Sequence, residues 1–286
     1  MDRNRFQAYL DLTRLNRPIG IYLVLWPALW ALWLAADGLP PLSVLLIFIA
    51  GAVVMRSAGC VINDYADRHF DGGVARTCCR PLATGALSEQ QALRFFALLV
   101  LTGFGLVLML NPLTIWLSFG ALLLSVLYPF MKRYTYWPQA FLGAAFAWAV
   151  PMAFAAVLND VPWQAWLIYA LTLLWALIYD TAYAIADKED DLKLGIKSTA
   201  ILFGDRVQWV LGGFQLMMVL GFVWVGRLFD LGGLYDLAVW VAAGLFGYHQ
   251  WLLHFQRADL AFRVFLNNHW VGLVILIGIV ADTHFG

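Results

Sequence analysis

The sequence predicts an all-α, polytopic membrane protein: one domain over residues 1–286, built as a bundle of nine transmembrane helices. Apolar residues make up 63% of the chain and charged residues 13%, and the mean hydropathy is +0.76. Water-soluble domains average about 25% charged and 45–50% apolar residues. The chain therefore has too little polar surface to coat a soluble globule. Its basic residues also form no stripe of the kind that binds nucleic acid, so we expect no nucleic-acid partner.

Nine segments are apolar over the length of about 20 residues that is needed to cross about 30 Å of hydrocarbon. They lie at 19–36, 43–62, 92–110, 113–131, 138–158, 163–185, 208–228, 236–253 and 266–282. Pro, Gly, Asn and Asp mark most of the breaks between them, as at Asn111-Pro112. The first segment is longer than the apolar core of a signal peptide, which has about 7–15 residues, so we expect the mature protein to retain it.

The distribution of basic residues predicts the orientation of the bundle. Of the 18 basic residues, only Arg56 and Arg227 lie away from five segments, which are the N-terminal tail, 63–91, 132–137, 186–207 and 254–265. With nine spans, all five segments fall on the same side of the membrane. Because Lys and Arg accumulate in cytoplasmic loops, we expect a cytoplasmic N-terminus.

Two acidic clusters follow the second and sixth spans, and both are on the predicted cytoplasmic side. Asn63, Asp67 and Asp71 are spaced i, i+4, i+8, and this spacing predicts one stripe along a helix. In the second cluster, Asp180, Asp187 and Asp191 are spaced i, i+7, i+11 and also share one helix face, and the last two repeat the four-residue spacing. Carboxylates at a helix C-terminus oppose the helix dipole and repel one another. A cation bound between the clusters explains them better than two solvated helix ends do.

The residue types in the clusters indicate which cation binds. Oxygen ligands without a His or Cys set favour Mg²⁺, Mn²⁺ or Ca²⁺ over zinc. Mg²⁺ is typically shared between a few carboxylates and substrate phosphates, so two facing acidic stripes suit a diphosphate bridged by Mg²⁺. Arg17, Arg80, Lys132 and Arg133 are expected at the same depth and could hold phosphate or carboxylate. The positive-inside rule alone also accounts for any single one of them.

The three cysteines are Cys60, Cys78 and Cys79. They show no metal-ligand spacing, and a disulfide between adjacent residues is geometrically awkward. We therefore expect free thiols in a reducing compartment.

The two acidic clusters resemble the paired aspartate motifs of the UbiA intramembrane prenyltransferases. The resemblance covers nearly the whole chain, including the nine-helix plan. Four further strings narrow it to bacterial members that act on 4-hydroxybenzoate; these are Arg17-Pro18-Ile19-Gly20, Gly59-Cys60-Val61-Ile62-Asn63-Asp64-Tyr65-Ala66-Asp67, Tyr128-Pro129-Phe130-Met131-Lys132-Arg133-Tyr134 and Gly195-Ile196-Lys197-Ser198-Thr199-Ala200. The Cys78-Cys79 pair before Arg80-Pro81 departs from the pattern.

The resemblance implies a Mg²⁺-dependent enzyme of ubiquinone biosynthesis in a bacterial inner membrane, with its active site facing the cytoplasm. Such an enzyme transfers a polyprenyl chain from polyprenyl diphosphate to the ring carbon ortho to the hydroxyl of 4-hydroxybenzoate and releases diphosphate. The implied Mg²⁺ ligands are Asn63 and the catalytic acids Asp67, Asp71, Asp187 and Asp191. The implied diphosphate contacts are Lys132, Tyr128 and Arg80, and the implied contacts of the aromatic carboxylate are Arg133 and, as a weaker candidate, Arg17. The prenyl tail would lie in a groove open to membrane lipid.

Three alternatives remain at this point. The acceptor could be another ring, such as a naphthoate, a homogentisate, a haem or a chlorophyll-type ring. The chain could be a cation-coupled transporter, because intramembrane acids mark ion pathways, although transporter sites usually lie near the bilayer midplane. A structural membrane subunit would leave both acidic clusters unexplained.

Overall fold

The protein is described by a computed structural model over residues 3–69, 71–73 and 77–285, and this part of the chain contains helices and no β-strand. The α-helices are α1 (Arg3–Thr13), α2 (Ile19–Ala36), α3 (Leu42–Asp67), α4 (Glu89–Val107), α5 (Pro112–Met131), α6 (Pro138–Ala147), α7 (Ala149–Leu158), α8 (Trp163–Leu194), α9 (Thr199–Phe203), α10 (Val207–Leu228), α11 (Gly233–His254) and α12 (Ala258–Phe285).

The helices confirm a multi-pass membrane fold. Eight stretches of the described residues are long and apolar enough to span a bilayer, with α6–α7 forming one stretch and α9–α10 another. The remaining predicted segment, 236–253, lies in α11, which has 22 residues and packs against α10 and α12 but is not among the eight. Each of the nine predicted spans therefore corresponds to a helix or a helix pair, and eight of these are long and apolar enough to cross a bilayer.

The helix ends follow the turn residues of the sequence. The Asn111 side chain caps α5 by accepting hydrogen bonds from the backbone N–H and the hydroxyl of Thr114, at 2.9 and 2.8 Å. Asp37, Asn159 and Gly195 adopt left-handed backbone conformations that end α2, α7 and α8. The short loops that result make successive spans antiparallel, which brings the C-terminal parts of α3 and α8 to the same end of the bundle.

The main core lies between α2, α7, α8, α10, α11 and α12. Its largest side chains include Trp30 and Trp175, both of which are fully buried, and the Trp30 indole donates a hydrogen bond to the Gly272 carbonyl at 2.9 Å. Many large apolar side chains instead face outward, including Leu101, Trp116, Trp209, Trp240 and Ile277. An apolar interior combined with an apolar outer surface is what a bundle in lipid requires.

The two acidic helix ends differ from each other, and the single stripe predicted through Asp71 is wrong. α3 ends at Asp67, and Asp71 begins a separate 3-10 turn over Asp71–Gly73. The guanidinium groups of Arg68 and Arg133 donate hydrogen bonds to the carbonyls of Tyr65 and Ala66. In a continuing helix these carbonyls would instead accept hydrogen bonds from backbone N–H groups. The two glycines at positions 72 and 73 are also poor helix formers.

The second acidic helix continues further than predicted. α8 extends to Leu194, so the segment 186–194, which was predicted to belong to a loop, is helical. Asp187 and Asp191 therefore share one helix face, as their spacing predicted.

Candidate active site

The C-terminal end of α3 buries carboxylates among basic side chains. Asp67 is 3% exposed, and one of its oxygens lies 2.6 Å from the Lys132 ammonium. The Asn63 amide, one turn earlier on α3, donates to the same oxygen at 3.3 Å. Lys132 supplies the counter-charge of this buried carboxylate, and an unpaired buried charge would be strongly destabilising.

A second set of ion pairs surrounds Asp64 and Asp71. The Arg80 guanidinium lies 2.9 Å from Asp71 and 3.1 Å from Asp64, and Arg14 reaches Asp64 at 2.5 Å. Asp64 is 1% exposed and Asp71 is 5% exposed. Arg80 therefore joins the two acids, while Arg14 fixes the end of α1 to α3.

Local structure holds both arginines in place. α1 packs Leu12 against Val61 of α3, and Arg14 then turns the chain in a left-handed conformation with φ of 55°. Arg80 closes a four-residue turn by donating its backbone N–H to the Thr77 carbonyl at 3.0 Å. The Thr77 hydroxyl in turn donates to the Asp71 carbonyl at 2.9 Å. The turn therefore contacts Asp71 at both of its ends.

Asp71 sits in an environment that disfavours its charge. Burial raises its pKa above the ordinary value; the neighbouring Arg80 opposes this shift, and the charges of Asp67 and Asp64 add to it. An additional cation beside Asp71 would lower that pKa and stabilise the ionised carboxylate.

The second motif lies on α8 in more open surroundings. Asp180, Asp187 and Asp191 are all half-buried. The loop that follows α8 is tied to the first motif through Lys132, whose backbone carbonyl accepts the N–H of Lys197 at 3.0 Å. Lys132 therefore contacts Asp67 with its side chain and the segment after α8 with its backbone.

The other predicted substrate contacts are spread around this centre. Tyr128 is buried, and its hydroxyl donates to the Gly59 carbonyl of α3 at 3.2 Å. Arg133 is exposed; its guanidinium donates to the Ala66 carbonyl and lies 5.3 Å from the centre of the Phe130 ring. Arg17 is exposed, and its side chain has no ion pair or hydrogen bond within the described residues.

Arg56 adds a cation that the sequence analysis left without a role. It lies on the same face of α3 as Asn63, seven residues and about 10 Å deeper in the bundle. Its Nη1 contacts the Cys60 sulfur at 2.7 Å, and its guanidinium lies 5.9 Å from the centre of the Phe146 ring. Its Nε is buried without a hydrogen-bond partner, and no carboxylate of the described residues forms an ion pair with it.

The close approach of Gly20 makes room for this guanidinium. A Cβ atom at Gly20 would lie 2.2 Å from the Arg56 Nε. The space left by the missing side chain lies on α2, in the Arg17-Pro18-Ile19-Gly20 string. Arg56, Asp64 and Arg14 are thus the site residues that sequence reasoning missed. A signal existed for Arg56, because a basic residue inside an apolar span marks a functional site by default.

The donor set of α3 fits a hard divalent cation such as Mg²⁺. Asp67 Oδ1 and Asp64 Oδ2 are buried oxygens without a hydrogen-bond partner among the described residues. Buried carboxylate oxygens of this kind are satisfied by a cation. The described residues contain no group of three or more His, Cys, Asp and Glu side chains close enough to hold a metal ion by themselves. Mg²⁺ needs only one or two protein carboxylates when waters and substrate phosphates complete its shell.

Comparison with known proteins identifies the family. Residues 24–272 match the UbiA prenyltransferase family. A 4-hydroxybenzoate octaprenyltransferase of Hydrogenovibrio crunogenus is 72% identical over 281 residues, which cover 98% of this chain and 99% of the relative. The enzyme of the same name from Pseudomonas aeruginosa is 54% identical, over 96% of this chain and 93% of the relative.

Solved structures agree with this assignment. The apo structure of a UbiA homolog from Aeropyrum pernix is 26% identical, with a TM-score of 0.81 over 92% of this chain and 97% of that one. A UbiA homolog from Archaeoglobus fulgidus bound to GPP and Mg²⁺ shares the fold, with 18% identity and a TM-score of 0.69 over 96% and 99% of the two chains. The protein is therefore a member of the UbiA prenyltransferase family.

Proposed function

We propose that the protein transfers a polyprenyl chain from polyprenyl diphosphate to the ring carbon ortho to the hydroxyl of 4-hydroxybenzoate, releasing diphosphate, as a step of ubiquinone biosynthesis. The observation that carries the proposal is the alternation of buried carboxylates and cations at the end of α3, where Lys132 pairs with Asp67 and Arg80 pairs with Asp71. Such a site can bind a polyanion and its counter-cation together. The names of the relatives support the choice of acceptor.

The diphosphate would bind by exchanging ion-pair partners. Arg80 can turn its planar fork from Asp71 to the phosphate oxygens, and Lys132 can move its compact charge from Asp67. Arg14 would stay with Asp64 and keep that buried carboxylate neutralised. Tyr128 would add a hydroxyl donor near the same end of α3.

The carboxylates freed by that exchange would hold Mg²⁺. The proposed ligands are Asn63, Asp67 and Asp71 from the first motif and Asp187 and Asp191 from the second. When bound, Mg²⁺ supplies Lewis-acid stabilisation of the negative charge on the departing diphosphate. In the homolog from Archaeoglobus fulgidus, Mg²⁺ occurs together with a prenyl diphosphate.

The acceptor carboxylate would be held deeper, at Arg56. That guanidinium has an unused N–H group and no carboxylate partner among the described residues. A 4-hydroxybenzoate anchored there would lie along the α3 face between Arg56 and Asn63, with its hydroxyl end toward the diphosphate. Arg133 was the predicted carboxylate contact, but its guanidinium already binds the end of α3, so we favour Arg56.

The residues of the chain would then direct the transfer. Arg80 and Lys132 stabilise the charge that develops on the diphosphate as the allylic C–O bond breaks. The ring carbon ortho to the hydroxyl forms the new C–C bond to the allylic carbon. The same ring carbon then loses its proton, and the electrons of that C–H bond restore the aromatic ring. The apolar helices around the site exclude water, which would otherwise capture the allylic carbon.

We further propose that the enzyme lies in a bacterial inner membrane, with its N-terminus and active site facing the cytoplasm. The basic loops support this orientation. Nine spans would put the C-terminus outside, and eight would put it inside. Alkaline phosphatase fused after residue 285 should therefore be active, and green fluorescent protein at the same place should be dark. The reverse pattern would exclude α11 as a ninth span.

A direct assay tests the function. Membranes containing the protein would receive a polyprenyl diphosphate, Mg²⁺ and labelled 4-hydroxybenzoate, and the product would be extracted and identified by mass. We expect one prenyl group on the carbon ortho to the hydroxyl, and no product when EDTA is present. Product formation only with a naphthoate or homogentisate would replace the acceptor. Failure with every acceptor, while a control enzyme is active, would refute the proposed transfer.

A further inference from the structure

Two adjacent thiols lie beside the site without a role in the transfer. Cys78 and Cys79 are both exposed, and their sulfur atoms are 3.6 Å apart without forming a disulfide. The contact between the two thiols raises the pKa of Cys78 above its ordinary value. Because the two sulfurs are only 3.6 Å apart, both side chains point the same way from the backbone. Adjacent side chains in an extended chain point in opposite directions.

The turn that contains these cysteines explains their common direction. Its four residues are Thr77, Cys78, Cys79 and Arg80, and it is closed by the hydrogen bond from the Arg80 N–H to the Thr77 carbonyl at 3.0 Å. The cysteines occupy the two central positions, so the thiols lie at the tip of the turn. The end residues of the same turn contact Asp71, through the Thr77 hydroxyl at 2.9 Å and the Arg80 guanidinium at 2.9 Å.

The distance between the sulfurs decides which chemistry they suit. A disulfide needs an S–S distance of about 2.05 Å, so the two atoms would have to approach by about 1.5 Å. Two thiolates on one tetrahedral ion with metal–sulfur bonds of about 2.3 Å lie about 3.8 Å apart. The observed 3.6 Å therefore suits chelation of one ion with little movement of the turn. Soft ions are the ones that prefer thiolate ligands.

We propose that Cys78 and Cys79 form a two-thiolate site for a soft, thiophilic centre, such as Zn²⁺ or the arsenic atom of a trivalent arsenical. We further propose that binding at this site inhibits the enzyme. Each thiol gives up its proton as its bond to the ion forms. Chelation locks the central residues of the turn, which restricts the exchange of Arg80 between Asp71 and the diphosphate. The binding site stands on the geometry of the thiols alone, whereas the inhibition rests on the proposed function.

Phenylarsine oxide is the probe for binding, because carboxylates and a single thiol do not hold it. Its oxygen leaves as water with the two thiol protons, and two As–S bonds form while the phenyl group stays on arsenic. The full-length protein in detergent would be treated with one equivalent and measured by intact mass. We expect one phenylarsenic adduct on the wild type, its removal by 2,3-dimercaptopropanol, and no adduct on Cys78→Ser, Cys79→Ser or the double variant.

The double variant is the matched control, since it keeps the buried Cys60 and all residues of the proposed site. An adduct that persists in the double variant, or a wild type without an adduct, would overturn the binding site. In the prenyl-transfer assay we expect the probe to lower wild-type activity by about tenfold or more, because Arg80 no longer reaches the diphosphate fully. The double variant should keep its activity in the presence of the probe.

The two readouts separate the possible failures. A stoichiometric adduct on the wild type with unchanged activity would overturn the link from the thiols to Arg80. Inhibition of the double variant to the same extent would also overturn that link. If untreated protein transferred no prenyl group, the proposed function would fail, and the mass measurement would still decide whether the thiols form the site.

Discussion

Two aspartates four residues apart occur both at the end of α3 and on α8, but their surroundings differ. Asp67 is 3% exposed and lies 2.6 Å from the Lys132 ammonium, whereas Asp187 and Asp191 are half-buried. The difference continues into the membrane: eleven residues before Asp67 lies Arg56, and eleven residues before Asp187 lies the buried Ala176. We infer that both sides supply carboxylates for the metal, and that the α3 side also binds the anionic groups of both substrates.

Removing one aspartate from each side should have the largest effect. We expect Asp67→Ala and Asp187→Ala each to lower prenyl transfer by at least about 10³-fold, because each would remove a ligand of the proposed Mg²⁺. Activity would be measured at equal amounts of inserted protein, with Asp190→Ala on α8 as the control. Asp190 pairs with the exposed Lys193, so its removal should change activity by less than about threefold. Retained activity in either of the first two variants would break the idea of a shared metal site.

Substitutions on the two sides should lower the free energy of unfolding by different amounts. Asp64→Asn is expected to lower the free energy of unfolding by about 3 kcal/mol, because it leaves Arg14 without its buried partner. Asp191→Asn alters a half-buried group and should cost less than about 1 kcal/mol. Unfolding in detergent, followed by the loss of helical circular dichroism, compares them. Equal losses would mean that the second motif is as tightly paired as the first.

The sequence predicts part of this contrast between the two helix ends, and there is a physical reason why it does not predict the rest. The helical membrane fold follows from composition and loop charge, and the stripe of Asp187 and Asp191 follows from helix periodicity. The end of α3 did not follow, because it depends on the guanidinium groups of Arg68 and Arg133 taking the last carbonyls. Helix periodicity contains no information on such contacts, and the one from Arg133 comes from a residue 67 positions away along the chain.

The missed residues have the same explanation. Arg14 and Asp64 form their pair across 50 residues, after α1 has folded back over α3. Their spacing along the chain therefore could not predict the ion pair. Arg56 differs, since its position inside an apolar span is visible in the sequence. The space for its guanidinium beside Gly20, however, depends on how α2 packs against α3.

Arg56, the cation that lies deeper in the bundle on α3, is proposed to bind the acceptor carboxylate, and this can be tested by substitution. Arg56→Lys should raise the KM for 4-hydroxybenzoate by about 30-fold, or about 2 kcal/mol, because a compact ammonium replaces a bidentate contact with the carboxylate. The KM for polyprenyl diphosphate should stay nearly constant. Gly20→Ala should act in the same direction, since the new Cβ would collide with the guanidinium.

Arg133→Ala is the informative comparison for that experiment. Arg133 was the residue predicted from the sequence to bind the aromatic acid, and its loss was expected to raise the same KM. If Arg133→Ala raises the KM for 4-hydroxybenzoate more than Arg56→Lys does, the carboxylate binds at the surface and Arg56 loses its proposed role. A neutral acceptor, 4-hydroxybenzamide, should respond to neither substitution.

The smallest effect is expected at the segment after α8. The Lys197 ammonium donates to the Tyr134 carbonyl at 3.2 Å in an exposed position, and the Lys197 backbone N–H donates to the Lys132 carbonyl. Lys197→Ala removes the first of these bonds and keeps the second, so activity should fall by less than about threefold, which corresponds to about 0.65 kcal/mol. Initial rates at subsaturating polyprenyl diphosphate would measure it. A tenfold loss would mean that the Lys197 ammonium reaches the diphosphate. The α8 side would then bind the substrate anion as well, which would contradict the proposed difference between the two helix ends.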